Sequence, residues 1–163
     1  MDLQDMRISE VIQPTAIDLN LQDIHCKDDV IACLAEKLDA AGLLTDKDVY
    51  IQSVYEREEM GSTYMGFDIA IPHGKSPGVR EAGIAFGRSD EGFEYISQND
   101  KATVRLVFLL AIPDRTSPDA YMAVLAKLAR LLVHEEFRDA LMKATCYKDV
   151  LTAIIECEQY LLD

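Results

Sequence analysis

The chain has 163 residues, of which 49% are hydrophobic and 28% are charged, and its formal net charge is -13 at pH 7. This length suits one domain with a sizeable apolar core. The negative charge argues against a nucleic-acid-binding protein, because phosphate backbones are held by clustered lysines and arginines. No apolar run approaches the roughly 20 residues needed to cross a bilayer, so we expect no membrane insertion.

The beginning of the chain and its cysteines indicate the compartment. The run from Met1 to Met6 lacks the basic region and apolar core of a signal peptide. The four cysteines are Cys26, Cys33, Cys146 and Cys157. They form no Cys-x-x-Cys pair and the three histidines are scattered, so the spacing predicts neither a disulfide framework nor a metal site. We therefore expect a reduced, cytoplasmic protein that uses no metal and no other cofactor.

Two helices are predicted in the first part of the chain. Lys27 to Ala41 carries apolar residues on one face, and Gly42 follows where a helix commonly ends. The run Thr45-Asp46-Lys47-Asp48 resembles a capping box that opens a second helix, with aspartate in place of the usual glutamate. Gly61 ends this helix. Arg57 is therefore expected near its last turns, from where a long side chain can reach a neighbouring strand end.

The middle of the chain predicts strands instead of helices. The predicted strands are Ile69 to Ile71, Gly83 to Phe86 and Val104 to Ile112. The last of them is almost wholly apolar, as expected of a central strand buried on both faces. Pro113 ends it, because proline has no N–H to donate to the ladder. His73 follows the first strand and Pro72, so we expect it at the end of a strand, where a loop begins.

Helices are predicted again in the last third of the chain. Ser117 provides an N-cap and Pro118 the first helical residue of a helix with a stripe of leucines. That stripe consists of Leu125, Leu128, Leu131 and Leu132. Two further helices are predicted around Glu135 to Met142 and Lys148 to Tyr160. Helices that flank a central mixed β-sheet place the predicted fold in the α/β class, as a single domain over residues 1–163.

Arg57 and His73 offer the chemistry of a phosphoryl site. An imidazole with a pKa near 6.5 is largely neutral at cytoplasmic pH, so one ring nitrogen keeps a free lone pair. The guanidinium of Arg57 keeps its charge, and its planar fork suits phosphoryl oxygens. Phosphoryl transfer asks mainly for positioning and for compensation of charge on the equatorial oxygens. We therefore predict His73 as the nucleophile and Arg57 as its cationic partner.

Several blocks of sequence occur in a familiar order. They are Arg57-Glu58, Gly61-Ser62-Thr63, Gly66, Ile69 to Lys75, Leu106 to Ala111, Leu125 to Leu132, and Glu135 to Leu141. This ordered set resembles the type-2 EIIA family of the bacterial sugar phosphotransferase system, the fructose/mannitol class. The resemblance extends from about Ile17 to the C-terminus, so it covers nearly the whole chain.

The resemblance implies a phosphoryl relay. His73 matches the histidine that accepts a phosphoryl group from the phosphohistidine of the carrier protein HPr and passes it to a cysteine of an EIIB domain. The membrane component EIIC takes part only indirectly. Arg57 matches the family arginine beside that histidine. Ser62 and Thr63 either add hydroxyl or backbone N–H contacts to the phosphoryl group, or simply form the turn that leaves the helix together with Gly61.

Tyr121 departs from the pattern of the family. Many members carry a second histidine near the start of the helix that follows the long strand, where this chain has Tyr121. A phenol donates one hydrogen bond but cannot take a positive charge. Either the second histidine is dispensable and Tyr121 fills its place, or phosphoryl binding depends more strongly on Arg57. The sugar remains open, because the membrane component chiefly selects it.

Two functional classes share this signature. One is a phosphocarrier that feeds a sugar permease. The other is a regulatory EIIA, of the nitrogen-related kind or within a transcription regulator, in which phosphorylation of His73 switches partner binding. The charge of -13 predicts an acidic and apolar surface around an exposed His73 that meets a basic carrier protein. Otherwise the acidic residues serve solubility, and recognition depends on apolar residues such as Met65 and Phe67.

Overall fold

The structure, a computed structural model, describes residues 6–98 and 100–162. Internal contacts divide the chain into two units. Among the described residues, those between 13 and 115 form a unit that we call the sheet unit, and residues 6–12 together with 116–162 form the helical unit. No helix within the described residues combines the length and the apolar character that a membrane span requires.

The strands β2 to β6 follow one another in the middle of the described chain, and helices precede and follow them. In chain order they are α1 (Ile8–Val11), β1 (Ile12–Asp18), α2 (Lys27–Ala40), α3 (Lys47–Glu59), β2 (Tyr64–Gly66), β3 (Ile69–Ala70), β4 (His73–Ser76), β5 (Gly83–Ser97), β6 (Asp100–Pro113), α4 (Pro118–Leu132), α5 (Glu135–Lys143) and α6 (Tyr147–Leu162). The predicted helices and strands are thus confirmed, with differences at several ends.

The sheet unit is built on a mixed sheet. Its strands follow the order β1-β5-β6-β3-β2, and β4 pairs with β6 as well. β6 runs antiparallel to β5 but parallel to β3 and β4. Helix α2 packs against β5 and β6, and α3 packs against β4. This arrangement confirms the predicted α/β class with a central mixed sheet.

Strand β6 forms the middle of the apolar core, as its sequence predicts. Its residues from Val107 to Ile112 are at most 1% exposed. The rings of Phe86 and Phe108 stack with centroids 4.6 Å apart. Burying such side chains contributes about 1.5–3 kcal/mol each to folding, so β6 is a rigid base for the neighbouring β4.

Helix α3 begins one residue later than the predicted capping box. The N-cap is Asp46, whose carboxylate accepts a hydrogen bond from the Val49 amide at 3.2 Å. The Thr45 hydroxyl donates instead to the Pro77 carbonyl at 3.2 Å. Aspartate and threonine are both good N-caps. Because the hydroxyl of Thr45 is used in the bond to Pro77, Asp46 is the residue that caps the helix.

Strand β5 is much longer than predicted. It extends from Gly83 to Ser97, whereas the sequence predicted only Gly83 to Phe86. A register shift between Arg88 and Phe93 interrupts the pairing with β6, and Gly92 has a positive φ of 85° there. The turn-like residues at this bulge conceal the continuing strand in the sequence.

The helical unit confirms the predicted start of α4. The Ser117 side chain accepts a hydrogen bond from the Ala120 amide at 3.1 Å, and Pro118 occupies the first turn. The buried face of α4 includes Val124, whereas Leu125 of the predicted stripe is only half-buried. The other three leucines of that stripe are buried, as predicted.

Candidate functional site

His73 is the first residue of β4, so the prediction that a loop begins at this residue is wrong. Strand β3 ends at Ala70, and Pro72 interrupts the ladder because it has no N–H. The Pro72 carbonyl still accepts from the Leu110 amide at 3.0 Å. Pairing with β6 therefore resumes at once, and His73 lies opposite Leu110 in the parallel register.

The hydrogen bond of the His73 ring defines its tautomer. His73 Nδ1 lies 2.8 Å from the carbonyl oxygen of Ile71. A carbonyl can only accept, so Nδ1 must carry the proton in this bond. In the neutral ring the lone pair is then on Nε2, which makes Nε2 the nucleophilic atom.

The surroundings of His73 favour its neutral form. Burial lowers the pKa of His73 from its ordinary value, and the positive charge of Arg57 lowers it further. The hydrogen bond to Ile71 and the charge of Glu58 act in the opposite direction on this pKa. His73 is only 4% exposed, so the prediction of an exposed histidine is wrong. The ring is covered because it lies on a strand of the sheet and is held inward by the Ile71 carbonyl.

Arg57 lies near the end of α3, as predicted, and is half-buried. One of its terminal nitrogens, Nη1, donates to the carbonyl oxygen of Gly61 at 2.9 Å. This bond orients the guanidinium across the end of its own helix. The remaining N–H groups of the fork offer donors of fixed geometry close enough to influence the pKa of His73.

Ser62 and Thr63 follow the turn at the end of α3. Gly61 has a φ of 145°, a conformation that glycine readily adopts. Ser62 Oγ accepts from the Tyr64 amide at 3.1 Å. Thr63 is 5% exposed, and its hydroxyl donates to the carboxylate of Glu58. Both hydroxyls thus take part in local hydrogen bonds, and their predicted contacts with a phosphoryl group stay a prediction.

Sequence reasoning assigned no role to Glu58, although it is 2% exposed and directly follows Arg57. Tyr95 OH donates to Glu58 Oε1 at 2.8 Å, and Ser97 Oγ donates to Glu58 Oε2 at 2.8 Å. The ammonium of Lys27 lies 3.7 Å from Oε2. Burial raises the pKa of Tyr95, and the negative charge of Glu58 raises it further.

A signal for Glu58 was present in the sequence. The buried residues of α3 are Tyr50, Val54 and Glu58, spaced by four. A glutamate on the buried stripe of a helix requires donors around it, since a charged side chain is rarely buried without partners. The partners themselves could not be identified, because Tyr95 and Ser97 lie on the part of β5 that was not predicted.

Tyr121 belongs to α4 of the helical unit and is half-buried. Its amide donates to the Ser117 carbonyl at 3.0 Å in the first turn of the helix. Its relation to a phosphoryl group therefore stays a prediction. Within the sheet unit, Arg57 lies close enough to His73 to lower its pKa, and the Thr63 carbonyl accepts from the amide of Ile71, two residues before His73.

Comparison with known proteins identifies the family. The family model described as "Phosphoenolpyruvate-dependent sugar phosphotransferase system, EIIA 2" matches residues 10–157, a range that includes parts of both units. The fructose-specific EIIABC component of Bacillus subtilis is 37% identical over 85% of this chain, which spans only 21% of that relative. The fructose-specific EIIA component of Haloferax volcanii is 33% identical, over 80% of this chain and 85% of the relative.

A solved structure agrees with these relatives. The nitrogen regulatory protein IIA-Ntr of Neisseria meningitidis superimposes with a TM-score of 0.75 at 25% identity, over 90% of this chain and 98% of that one. The family model and the relatives identify the same family, and the arrangement around His73 is consistent with it. The chain belongs to the EIIA type 2 family of the phosphoenolpyruvate-dependent sugar phosphotransferase system.

Proposed function

We propose that this chain is a phosphocarrier that accepts a phosphoryl group on His73 from phospho-HPr and passes it to a cysteine of an EIIB domain. The observation that carries the proposal is the hydrogen bond from His73 Nδ1 to the Ile71 carbonyl. It leaves the lone pair on Nε2, and Arg57 supplies a permanent positive charge nearby. Residues 1–163 act as one domain in this proposal.

The transfer needs only the residues of the two proteins that meet. The Nε2 lone pair of His73 attacks phosphorus, and the bond between phosphorus and the donor's ring nitrogen breaks, its electron pair returning to that nitrogen. Nδ1 of His73 keeps its proton throughout. In the second step a cysteine thiolate attacks phosphorus and the pair of the breaking P–N bond returns to Nε2. Arg57 compensates the charge on the equatorial oxygens in both steps.

The relatives support the partners in this scheme. The Bacillus subtilis relative is a fructose-specific EIIABC component, and this chain matches about a fifth of it. An EIIB acceptor and an indirect coupling to a membrane EIIC fit that name. The chain itself is proposed to work in the cytoplasm, without a metal and without contact with nucleic acid.

Labelling with a phosphoryl donor tests the site. Wild-type protein incubated with the general phosphotransferase proteins and phosphoenolpyruvate should acquire one acid-labile phosphoryl group, and His73→Gln should acquire none. The matched control is His25→Gln, because His25 is exposed and lies outside the network around Glu58. Acid-labile label that persists in His73→Gln overturns the assignment.

The salt dependence of binding tests the donor protein. The net charge of -13 should attract a basic carrier, and the Debye length falls from about 10 Å at 0.1 M to about 3 Å at 1 M salt. The association rate with phospho-HPr should therefore fall several-fold over this range. A rate that does not respond to salt would move recognition to apolar side chains such as Phe67, which is 55% exposed.

A regulatory role is the second candidate, because a nitrogen regulatory IIA protein superimposes on this chain with a TM-score of 0.75. In that case phosphorylation of His73 would change partner binding, with no onward transfer. Mixing the phosphorylated protein with purified EIIB domains separates the two candidates. Rapid loss of the label to an EIIB cysteine supports the phosphocarrier, and a label that stays on His73 supports the regulator.

A further inference from the structure

Three successive hydrogen bonds link the buried carboxylate of Glu58 to the ring of His73. The Thr63 hydroxyl donates to Glu58 Oε1. The Thr63 carbonyl accepts from the Ile71 amide at 3.1 Å. The Ile71 carbonyl in turn accepts from His73 Nδ1 at 2.8 Å. The position of the ring thus depends on a path that starts at Glu58.

Three more groups contact the carboxylate of Glu58. The hydroxyls of Tyr95 and Ser97 each donate to it at 2.8 Å, and both lie on β5. The ammonium of Lys27, at the start of α2, lies 3.7 Å from Oε2 and donates to Ser97 Oγ at 3.0 Å. Three hydroxyl donors and one cation meet a group that is 2% exposed. Such a network holds the carboxylate in one orientation, because any rotation leaves a buried donor unpaired.

We propose that Glu58 is a positioning residue for the phosphoryl acceptor: through Thr63 it places the Ile71 carbonyl that sets the tautomer and orientation of His73. The inference rests on the proposed function of His73. Phosphoryl transfer depends mainly on positioning, so a ring that rotates or changes tautomer no longer presents the Nε2 lone pair to phosphorus.

The same geometry assigns the Thr63 side chain to this path. A hydroxyl has one proton, and that of Thr63 is used in the bond to Glu58. Phosphoryl oxygens accept hydrogen bonds, so the Thr63 hydroxyl cannot donate to them while it donates to Glu58. Thr63 therefore acts by transmitting the position of Glu58 to Ile71 and makes no hydroxyl contact with the phosphoryl group.

Substitutions of Thr63 test the path without removing the carboxylate. Thr63→Val keeps the shape of the side chain but loses the hydroxyl, and Thr63→Ser keeps the hydroxyl. Thr103→Val on the exposed part of β6 is the matched control. We expect phosphorylation of His73 to slow roughly 10- to 100-fold in Thr63→Val, and to stay near the wild-type rate in Thr63→Ser and Thr103→Val.

A spectroscopic measurement separates positioning from a loss of stability. In the unphosphorylated wild-type protein, ¹⁵N resonances of His73 should show one tautomer, with Nδ1 protonated. Thr63→Val and Glu58→Gln should show a mixture of tautomers, whereas Glu94→Gln, an exposed glutamate on β5, should not. One unchanged tautomer in both variants overturns the proposal, whether or not the transfer rate falls.

The result of the ¹⁵N measurement does not depend on whether the proposed function is correct. If the wild-type protein takes no label on His73, the phosphocarrier proposal fails. The tautomer of the wild-type protein and of its variants is still measured in that case, and it decides whether Glu58 positions the ring. A mixture of tautomers in Thr63→Val that disappears in Thr63→Ser supports the path through the hydroxyl.

Discussion

In the sheet unit Glu58 is 2% exposed, and in the helical unit Glu158 is 1% exposed, yet the two carboxylates have different surroundings. Glu58 accepts from three hydroxyls and faces an ammonium. Glu158 Oε2 accepts from the Ile8 amide at 2.7 Å, whereas its Oε1 has no hydrogen-bond partner within the described residues. Burial alone therefore does not distinguish a residue that serves a site from one that anchors a fold.

The partners of the two residues explain the difference. The donors to Glu58 come from β5 and from the turn after α3, so its network connects elements around His73. Glu158 binds the first amide of α1, an N–H that has no partner within the helix. The carboxylate of Glu58 thus belongs to a cooperative network. The carboxylate of Glu158 accepts from a single backbone amide, and the burial of its second oxygen costs desolvation free energy.

The largest expected effect is at Arg57, the residue next to Glu58. Arg57→Lys should fold normally and transfer phosphoryl groups about 10²–10³-fold more slowly, a loss of about 2–4 kcal/mol, by analogy with other donors that stabilise transition-state charge. An ammonium keeps the charge but loses the fork and its bond to the Gly61 carbonyl. Single-turnover rates with phospho-HPr provide the measurement.

Arg130 of the helical unit is the matched control for this substitution. It lies in the last turn of α4, as Arg57 lies in the last turn of α3, and its Nε donates to the Ala126 carbonyl at 3.4 Å. Arg130→Lys should transfer at the wild-type rate. Equal rates for Arg57→Lys and the wild-type protein would show that Arg57 serves only the fold.

The next effect concerns stability at Glu58. Glu58→Gln removes the charge that faces Lys27 and leaves one acceptor oxygen for three hydroxyl donors. A buried donor without a partner costs about 1–3 kcal/mol, so the free energy of unfolding should fall by that amount. Urea unfolding measures it. Glu94→Gln, which breaks the exposed pair with Lys101, should cost less than about 1 kcal/mol, and a similar loss in both variants would contradict the network.

Much of the sheet unit could be predicted from the sequence, because it depends on local patterns. The apolar run of β6 predicted a central strand, which the structure confirms, whereas the role of His73 as phosphoryl acceptor stays a prediction. The network around Glu58 could not be predicted, since its donors are distant in the chain. Tyr95 and Ser97 come from a strand whose pattern is broken by a bulge, and no local rule indicates which residue a buried glutamate will meet.

The place of His73 in β4 was missed for a related reason. Proline ends most strands, so Pro72 predicted a loop. The carbonyl of Pro72 nevertheless keeps its bond to the Leu110 amide, and the parallel partner β6 continues beside it. Long-range pairing here overrides a local signal, and it also explains why His73 is buried where the sequence predicted an exposed residue.

A smaller effect follows from the lowered pKa of His73. Burial lowers the pKa of His73, so below about pH 6.5 the imidazole takes up a proton in the unfolded chain but stays neutral in the folded one. The free energy of unfolding should therefore fall as the pH drops below about 6.5. Above that pH the imidazole is neutral in both the folded and the unfolded chain, so this loss of stability is absent. The slope from one such group is at most about 1.4 kcal/mol per pH unit. The free energy of unfolding, measured with urea between pH 7.5 and about 5, should depend less steeply on pH in His73→Gln than in the wild-type protein. The same pH dependence in both proteins would contradict the burial of a neutral ring.

The smallest effect is expected at Glu158 and completes the comparison of the two carboxylates. Glu158→Gln keeps an oxygen that can accept from the Ile8 amide and removes a charge from a site that is 1% exposed. Because Oε1 has no partner to lose within the described residues, the variant should be as stable as the wild-type protein or up to about 1 kcal/mol more stable. Glu156→Gln, an exposed neighbour on α6, is the control and should change the stability by less than about 0.5 kcal/mol. Phosphorylation of His73 should be unaffected in both. A loss of more than about 1 kcal/mol in Glu158→Gln would show that this carboxylate, like Glu58, depends on its charge, and the contrast between the two units would then disappear.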